Sequence, residues 1–143
     1  MTKNTEVAKT TAGRALPARV AAVAGGLTVR EAIERWLARL TDNTRRAYAR
    51  DLKSFASWIA GDDVADDDAG EAIESALLSM CDVTPSAALL VLENWQTEMK
   101  RTLAPDGKPL SASTINRRVS AVNAALREMH KADIGPRMSA IPR

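Results

Sequence analysis

The chain has 143 residues, of which 45% are hydrophobic and 27% charged, and this size fits one domain rather than a two-lobed enzyme. The single cysteine, Cys81, and the single histidine, His130, exclude an intrachain disulfide, a cysteine-based zinc site and a multi-histidine metal site. The net charge of +2 conceals an acidic segment, residues 61–84, between two basic ones, residues 27–60 and 111–143.

The first 26 residues are rich in threonine, alanine and lysine and end in Gly25-Gly26 without a sustained hydrophobic period. We therefore predict a flexible basic tail over residues 1–26. Its apolar stretch is interrupted by Pro17 and Arg19 and lacks a signal-peptide pattern. Because no apolar run in the sequence is long enough to cross a bilayer, we expect a cytoplasmic protein without membrane partners.

Two amphipathic helices are predicted over residues 29–60. Thr28 and Glu31 form a capping-box pattern, and apolar residues then recur on one face of a helix over 29–40. Thr41 is placed to cap a second helix over 42–60, for which Gly61 is a natural stop. The core-facing stripe of this second helix consists of Thr44, Tyr48, Leu52, Phe55 and Ile59, and the opposite stripe of Arg46, Arg50, Lys53 and Ser57.

The remaining helices follow an acidic connector. Residues 61–84 begin as an exposed loop, and the stretch EAIESALLSM adds a short helix. Thr84-Pro85 is a helix-start signal for a helix over 85–102, in which Leu89 and Leu90 widen the apolar face and indicate a central position or a protein partner.

A Pro/Asp/Gly turn precedes the last predicted helix, which Ser111 caps and which ends near Ala132. Its predicted inner face consists of Ile115, Val119, Val122, Leu126 and Met129, and its outer face includes Ser113, Thr114, Arg117 and Ala121. Residues 135–143 are interpreted as a linker. No β pattern is present, so the sequence predicts an all-α fold, a compact bundle of four to five helices.

Basic side chains on the second predicted helix are candidate nucleic-acid contacts. Arg46, Arg50 and Lys53 could neutralise phosphates, or they could form a solvated helix face. Arg45 borders the core stripe, and it could form an ion pair with Asp42 instead of contacting a phosphate. The side chain of Asn43 is suited to a base edge in the major groove, but it is equally consistent with a filler in the first turn.

The last predicted helix supplies a second group of candidates. Arg117 lies between the small residues Thr114 and Ala121, which would let the helix approach a DNA backbone closely. Ser113 and Thr114 could donate to a phosphate from the first turn, or they could only cap the helix. Arg118 lies on the flank of the same helix.

Both helices resemble elements of a known family. The segment TDNTRRAYARDLKSFASWI resembles the second helix of the core-binding domain of tyrosine recombinases (phage integrases), through Thr44, Arg45, Arg46, Tyr48, Asp51, Leu52 and Phe55. The segment LSASTINRRVSAVNAALREMHK is similar to the family's fourth helix, through Ser111, Thr114, Ile115, Arg117, Arg118, Val119, Ser120, Ala121 and Val122. Valine replaces leucine at positions 119 and 122, and the resemblance covers about residues 27–134.

This resemblance implies a SAM-like bundle over residues 27–134 that lies on one face of double-stranded DNA and takes part in DNA integration and recombination. The catalytic Arg, Lys, His-x-x-Arg and nucleophilic Tyr of the family's second domain have no counterpart here, so we expect no enzyme activity. We expect no cofactor, metal or small-molecule substrate, and other recombinase protomers are candidate partners. The DNA contacts expected from stripes and resemblance together are Asn43, Thr44, Arg45, Arg46, Arg50, Lys53, Ser113, Thr114, Arg117 and Arg118.

Three alternative functions compete with this interpretation. The chain could be a truncated product that regulates a full-length recombinase, or a helical protein-interaction module whose arginines are merely solvated. A helix-turn-helix regulator fits less well, because its two helices are joined by a short turn and the two basic helices here are separated by about fifty residues.

Overall fold

Five helices account for most of the chain in the computed structural model, which describes residues 17–21, 26–132 and 134. They are α1 (Val29–Ala38), α2 (Asp42–Ala60), α3 (Ala69–Cys81), α4 (Pro85–Lys100) and α5 (Ala112–Lys131). A 3₁₀ turn, Asp66–Asp68, leads into α3. The described residues contain no strand, only an isolated bridge between Leu103 and Pro109, so the all-α prediction is confirmed.

The helix starts follow the capping signals of the sequence. Thr28 Oγ1 accepts from the backbone N–H of Glu31 at 3.1 Å, and the Glu31 carboxylate accepts from the N–H of Thr28 at 2.9 Å, which completes the capping box of α1. The side chains of Thr41, Thr84 and Ser111 cap α2, α4 and α5, and each accepts one hydrogen bond from the backbone N–H three residues further on.

Helix ends agree with the predictions for α2 but less closely elsewhere. Gly61 ends α2 with a φ of 79°, a left-handed conformation that glycine adopts without steric cost. The first helix is shorter than predicted, because the N–H groups of Arg39 and Leu40 already bond three residues back and tighten the last turn. The short helix predicted within residues 61–84 is present as α3 and spans 13 residues.

The core lies where α5 crosses the other helices. Helix α5 packs against α1, α2 and α4, while α3 packs against α1 and α2. The predicted inner faces are largely buried, and the central buried side chains are Trp36, Leu52, Phe55, Leu92, Trp95, Met99, Ile115, Val119, Val122, Leu126 and Met129. The bundle therefore buries the apolar stripes that the sequence assigned to it.

Two predicted orientations are wrong. Ala121, assigned to the outer face of the last helix, is fully buried, because α5 is covered by three helices and a small side chain there lets them approach. Ile59, assigned to the core stripe, is 38% exposed, because α2 ends one residue later and the chain turns away at Gly61.

The two chain ends lie mostly outside the described residues. Of the predicted tail, only residues 17–21, which form a single helical turn at Ala18–Ala21, and residue 26 are described. The predicted linker, residues 135–143, lies outside them entirely. No helix in the described part of the chain has both the length and the apolar character needed to cross a membrane.

Candidate nucleic-acid interface

A partly buried ion pair joins the two helices that carry the candidate residues. Arg117 on α5 donates through Nε and Nη2 to the two carboxylate oxygens of Asp51 on α2, at 3.0 and 2.9 Å. Asp51 is 1% exposed, whereas the Arg117 side chain is 44% exposed. The hydrogen bond from Arg117 to Asp51 raises the pKa of the guanidinium. The bidentate geometry fixes the start of α5 against the middle of α2.

Sequence reasoning missed this pair, although Asp51 was among the residues that carry the family resemblance. A carboxylate between Arg50 and Lys53 on a basic helix has no local partner at the i,i+3 or i,i+4 positions. The absence of a basic residue three or four positions away was the only feature of the sequence to indicate that Asp51 pairs with a distant cation. As a DNA contact Arg117 stays a prediction, and two of its three nitrogen atoms are already engaged with Asp51.

The outer side of α2 carries three cations, Arg46, Arg50 and Lys53, which we call the α2 basic face. Arg46 is exposed and donates to the neutral side-chain oxygen of Asn43 at 2.9 Å, so its charge is not compensated by that contact. Arg50 is exposed and has no hydrogen-bond or ion-pair partner among the described residues. These two arginines are one helical turn apart.

Lys53 differs from its neighbours because the acidic segment reaches it. Its ammonium group forms an ion pair with Asp66, thirteen residues further along the chain. The hydrogen bond from Lys53, together with its charge, lowers the pKa of the Asp66 carboxyl. The loop that carries Asp66 is also tethered to α2, since the N–H of Val64 donates to Ser57 Oγ at 3.1 Å. Lys53 would have to exchange Asp66 for a phosphate, or share it.

The first turns of α2 and α5 are built alike. Arg45 pairs with Asp42, which is the alternative that the sequence offered for it. The hydroxyl groups of Thr41 and Thr44 are 3.0 Å apart, and those of Ser111 and Thr114 are 2.9 Å apart. Both threonines at the third helical position therefore contact their caps.

Ser113 occupies the first turn of α5 and is exposed there, with no partner among the described residues. The first-turn N–H groups of a helix also favour anions, so this turn keeps donors available to a phosphate. Of the predicted α5 contacts outside the Asp51 pair, Ser113 is thus the most accessible.

A groove of about 680 Å³ lies between α2 and α4. Arg50, Lys53 and Arg118 line it together with Trp58 and Trp95. The rings of Trp58 and Trp95 are stacked with centroids 6.4 Å apart, in keeping with the position of Trp58 over a neighbouring helix. Three of the ten predicted contacts thus share one cleft, although they come from two helices.

Arg118 is incompletely satisfied in this groove. Its Nε is buried and has no hydrogen-bond partner within the described part of the chain, and its Nη1 lies 4.0 Å from the sulfur of Met99. A buried donor without an acceptor costs about 1–3 kcal/mol, so an added oxygen acceptor would stabilise this position. Within residues 26–132, no three His, Cys, Asp or Glu side chains are grouped so that they could hold a metal ion.

Three comparisons with known proteins found no relative of the chain. No protein-family model matches the chain. No curated protein matches it, and neither does any solved structure.

Proposed function

We propose that the chain binds double-stranded DNA as the core-binding domain of a tyrosine recombinase, and that it takes part in integration and recombination while a separate catalytic domain cleaves the strands. The observation that carries this proposal is the pair Arg46 and Arg50. Both are exposed, they lie one turn apart on α2, and neither has a carboxylate partner among the described residues. The resemblance of α2 and α5 to the recombinase helices supplies the class of protein.

The proposed contact is mainly electrostatic. Four residues of helix span about 6 Å, so Arg46 and Arg50 present two positive charges along a rigid element. Each phosphate they neutralise releases counterions, which makes the affinity depend on salt. Arg118 lines the same groove as Arg50, so the second turn of α5 lies beside the α2 basic face. The Asp51–Arg117 pair holds this arrangement without the help of DNA.

The test is fluorescence anisotropy with labelled duplex DNA over a salt series. We expect non-specific binding with a Kd on the order of 10⁻⁴–10⁻⁶ M at physiological salt. The double variant Arg46→Ala/Arg50→Ala should weaken binding and reduce the salt slope by about 1.8, since each phosphate contact contributes about 0.9.

The matched control is Arg35→Ala/Arg127→Ala, which removes the same charge from exposed arginines without partners in the described residues. The control should keep most of the affinity and slope. If both double variants weaken DNA binding equally, the binding depends on net charge alone and the proposed contacts at Arg46 and Arg50 are wrong. Absence of binding at low salt would refute the proposal.

A helical interaction module is the second candidate, and exposed apolar side chains favour it. Leu90 on α4 is 58% exposed and Leu78 on α3 is 42% exposed, on either side of the turn between these helices. The sequence predicted a central position or a partner for the widened face of the helix after Pro85. This function predicts no DNA affinity in the same assay, so the salt series separates the two candidates.

A further inference from the structure

The groove between α2 and α4 contains carboxylates and aromatic side chains in addition to its cations, and binding to the phosphate backbone of a duplex needs neither. Its α2 wall carries Arg50 and Lys53, and Arg118 reaches it from α5. Its other charged residues are three carboxylates, Asp62, Asp63 and Glu98. The six formal charges cancel, so the groove does not favour a ligand with several negative charges.

The aromatic part of the groove provides an apolar contact. Trp58 is half-buried and lines the groove, while Trp95 beneath it is 2% exposed. The two indoles stack on one another, and Phe55 lies against both, with ring centroids 6.2 Å from Trp58 and 4.9 Å from Trp95. This support holds the indole of Trp58 in place, and a rigid indole is the kind of surface on which nucleobases stack.

Two groups in the groove remain free for a ligand. Arg50 has no partner, and the guanidinium of Arg118 has no oxygen acceptor in the described part of the chain. A phosphodiester in the groove would offer oxygen acceptors to these two guanidinium groups. A carboxylate accepts hydrogen bonds and donates none, so Asp63 and Glu98 favour a base that carries an amino group.

We propose that this groove binds an unpaired nucleotide of single-stranded DNA, with its phosphate on Arg50 and Arg118, its base on Trp58, and its amino group on the Asp63 and Glu98 carboxylates. A strand carries one charge per nucleotide, which suits a groove of balanced charge better than a free triphosphate does. The inference rests in part on the proposed function, because Arg50 and Arg118 are also predicted contacts of duplex DNA.

The groove predicts a base preference that separates two pyrimidines. Cytosine presents an amino donor, whereas thymine presents a carbonyl oxygen and a methyl group at the same edge. The full chain should therefore bind short labelled oligo-dC several-fold more tightly than oligo-dT. Binding should also quench tryptophan fluorescence, because Trp58 lines the groove and is the least buried of the three tryptophans.

The decisive variant is Asp63→Ala/Glu98→Ala, and its control is Asp67→Ala/Glu93→Ala. Asp67 and Glu93 are exposed and lie outside the groove lining, so both variants remove two negative charges from comparable positions. Both should bind all DNA more tightly because their net charge rises. Only the groove variant should lose the preference for oligo-dC over oligo-dT.

Trp58 provides an independent arm of the test. Trp58→Leu should weaken single-strand binding roughly ten-fold and leave duplex binding unchanged, whereas Trp58→Phe should retain most of it. Thermal melting of each variant verifies that it is folded. A Trp58→Leu protein that is folded and binds oligo-dC as tightly as the parent overturns the inference.

The remaining outcomes are also decisive. Duplex binding without single-strand binding overturns the inference and leaves the proposed function intact. Equal affinity for the two oligonucleotides, or loss of the preference in the control variant as well, overturns the assignment of the groove. A chain that binds neither duplex nor single strands overturns both proposals.

Discussion

The Asp51–Arg117 pair makes the strongest prediction about stability. Replacing Arg117 with methionine keeps an unbranched aliphatic chain but leaves the carboxylate of Asp51, which is 1% exposed, without its guanidinium. Removing one partner of a fully buried pair costs about 3–5 kcal/mol, because the other charge remains buried without compensation, and the half-exposed Arg117 places this pair at the lower end of that range. A domain of this size has a total stability of about 5–15 kcal/mol, so Arg117→Met should remove a large part of it.

The converse substitution should cost less. In Asp51→Asn the remaining charge belongs to Arg117, whose side chain is 44% exposed and is therefore open to hydration. Losing a charge-assisted hydrogen bond of this kind costs about 1–3 kcal/mol. The double variant Asp51→Leu/Arg117→Met leaves no buried charge and should be more stable than Arg117→Met alone.

Urea denaturation followed by tryptophan fluorescence measures all three variants. Arg127→Met is the control, because Arg127 lies on the same helix, is exposed and has no partner in the described residues. Its effect should stay within about 0.5 kcal/mol. If Arg117→Met is as stable as Arg127→Met, or if Asp51→Asn is the more damaging of the two single changes, the ion pair does not stabilise the fold by compensating the buried carboxylate.

Three smaller predictions concern local features. Ser111→Ala removes the cap that accepts from the N–H of Thr114 at 3.1 Å and should lower the free energy of unfolding by about 1 kcal/mol, whereas Ser113→Ala should be neutral in the same urea assay. Gly61→Ala places a Cβ at a φ of 79° with no atom within 4 Å, so left-handed strain alone should cost about 1–2 kcal/mol, and a neutral result would contradict this. Cys81 is 2% exposed, so its alkylation should require unfolding. Burial also raises the pKa of the thiol above its ordinary value of 9.0, so the unfolded state loses the proton first and Tm should fall as the pH rises above that value.

The fold was predictable because its determinants are local. The Thr28 capping box, the Thr84-Pro85 start and the Gly61 stop each act within a few residues, and the structure has α2 at the bounds the sequence predicted. Periodicity gives the angle of a side chain about its own helix axis. It does not give the number of neighbours that surround that helix, which is why Ala121 was assigned to the wrong side.

The candidate site was predictable only in part. Helical periodicity predicted that Arg46 and Arg50 lie opposite the core-facing stripe of α2, and both are exposed. It could not reveal which cations are already paired, because Asp51 and Arg117 are 66 residues apart and meet only when α2 packs on α5. The groove was missed for the same reason, since its walls come from three helices that are separated along the chain.

A last prediction concerns the α2 basic face. A cation that is accessible to solvent can still be paired with a carboxylate, and it is then less available to bind a phosphate. Arg50 has no ion-pair partner among residues 26–132, whereas the charge of Lys53 is offset by Asp66. A phosphate that binds Lys53 must displace or tolerate that carboxylate, so its net gain is smaller. Arg50→Ala should therefore reduce the salt slope of duplex binding by about 0.9, and Lys53→Ala by clearly less. Asp66→Asn should raise the contribution of Lys53 to that of Arg50, which a Lys53→Ala change in the Asp66→Asn background measures. Equal slopes for the two single variants would mean that the ion pair opens freely when DNA binds and that position on the stripe alone decides the contact.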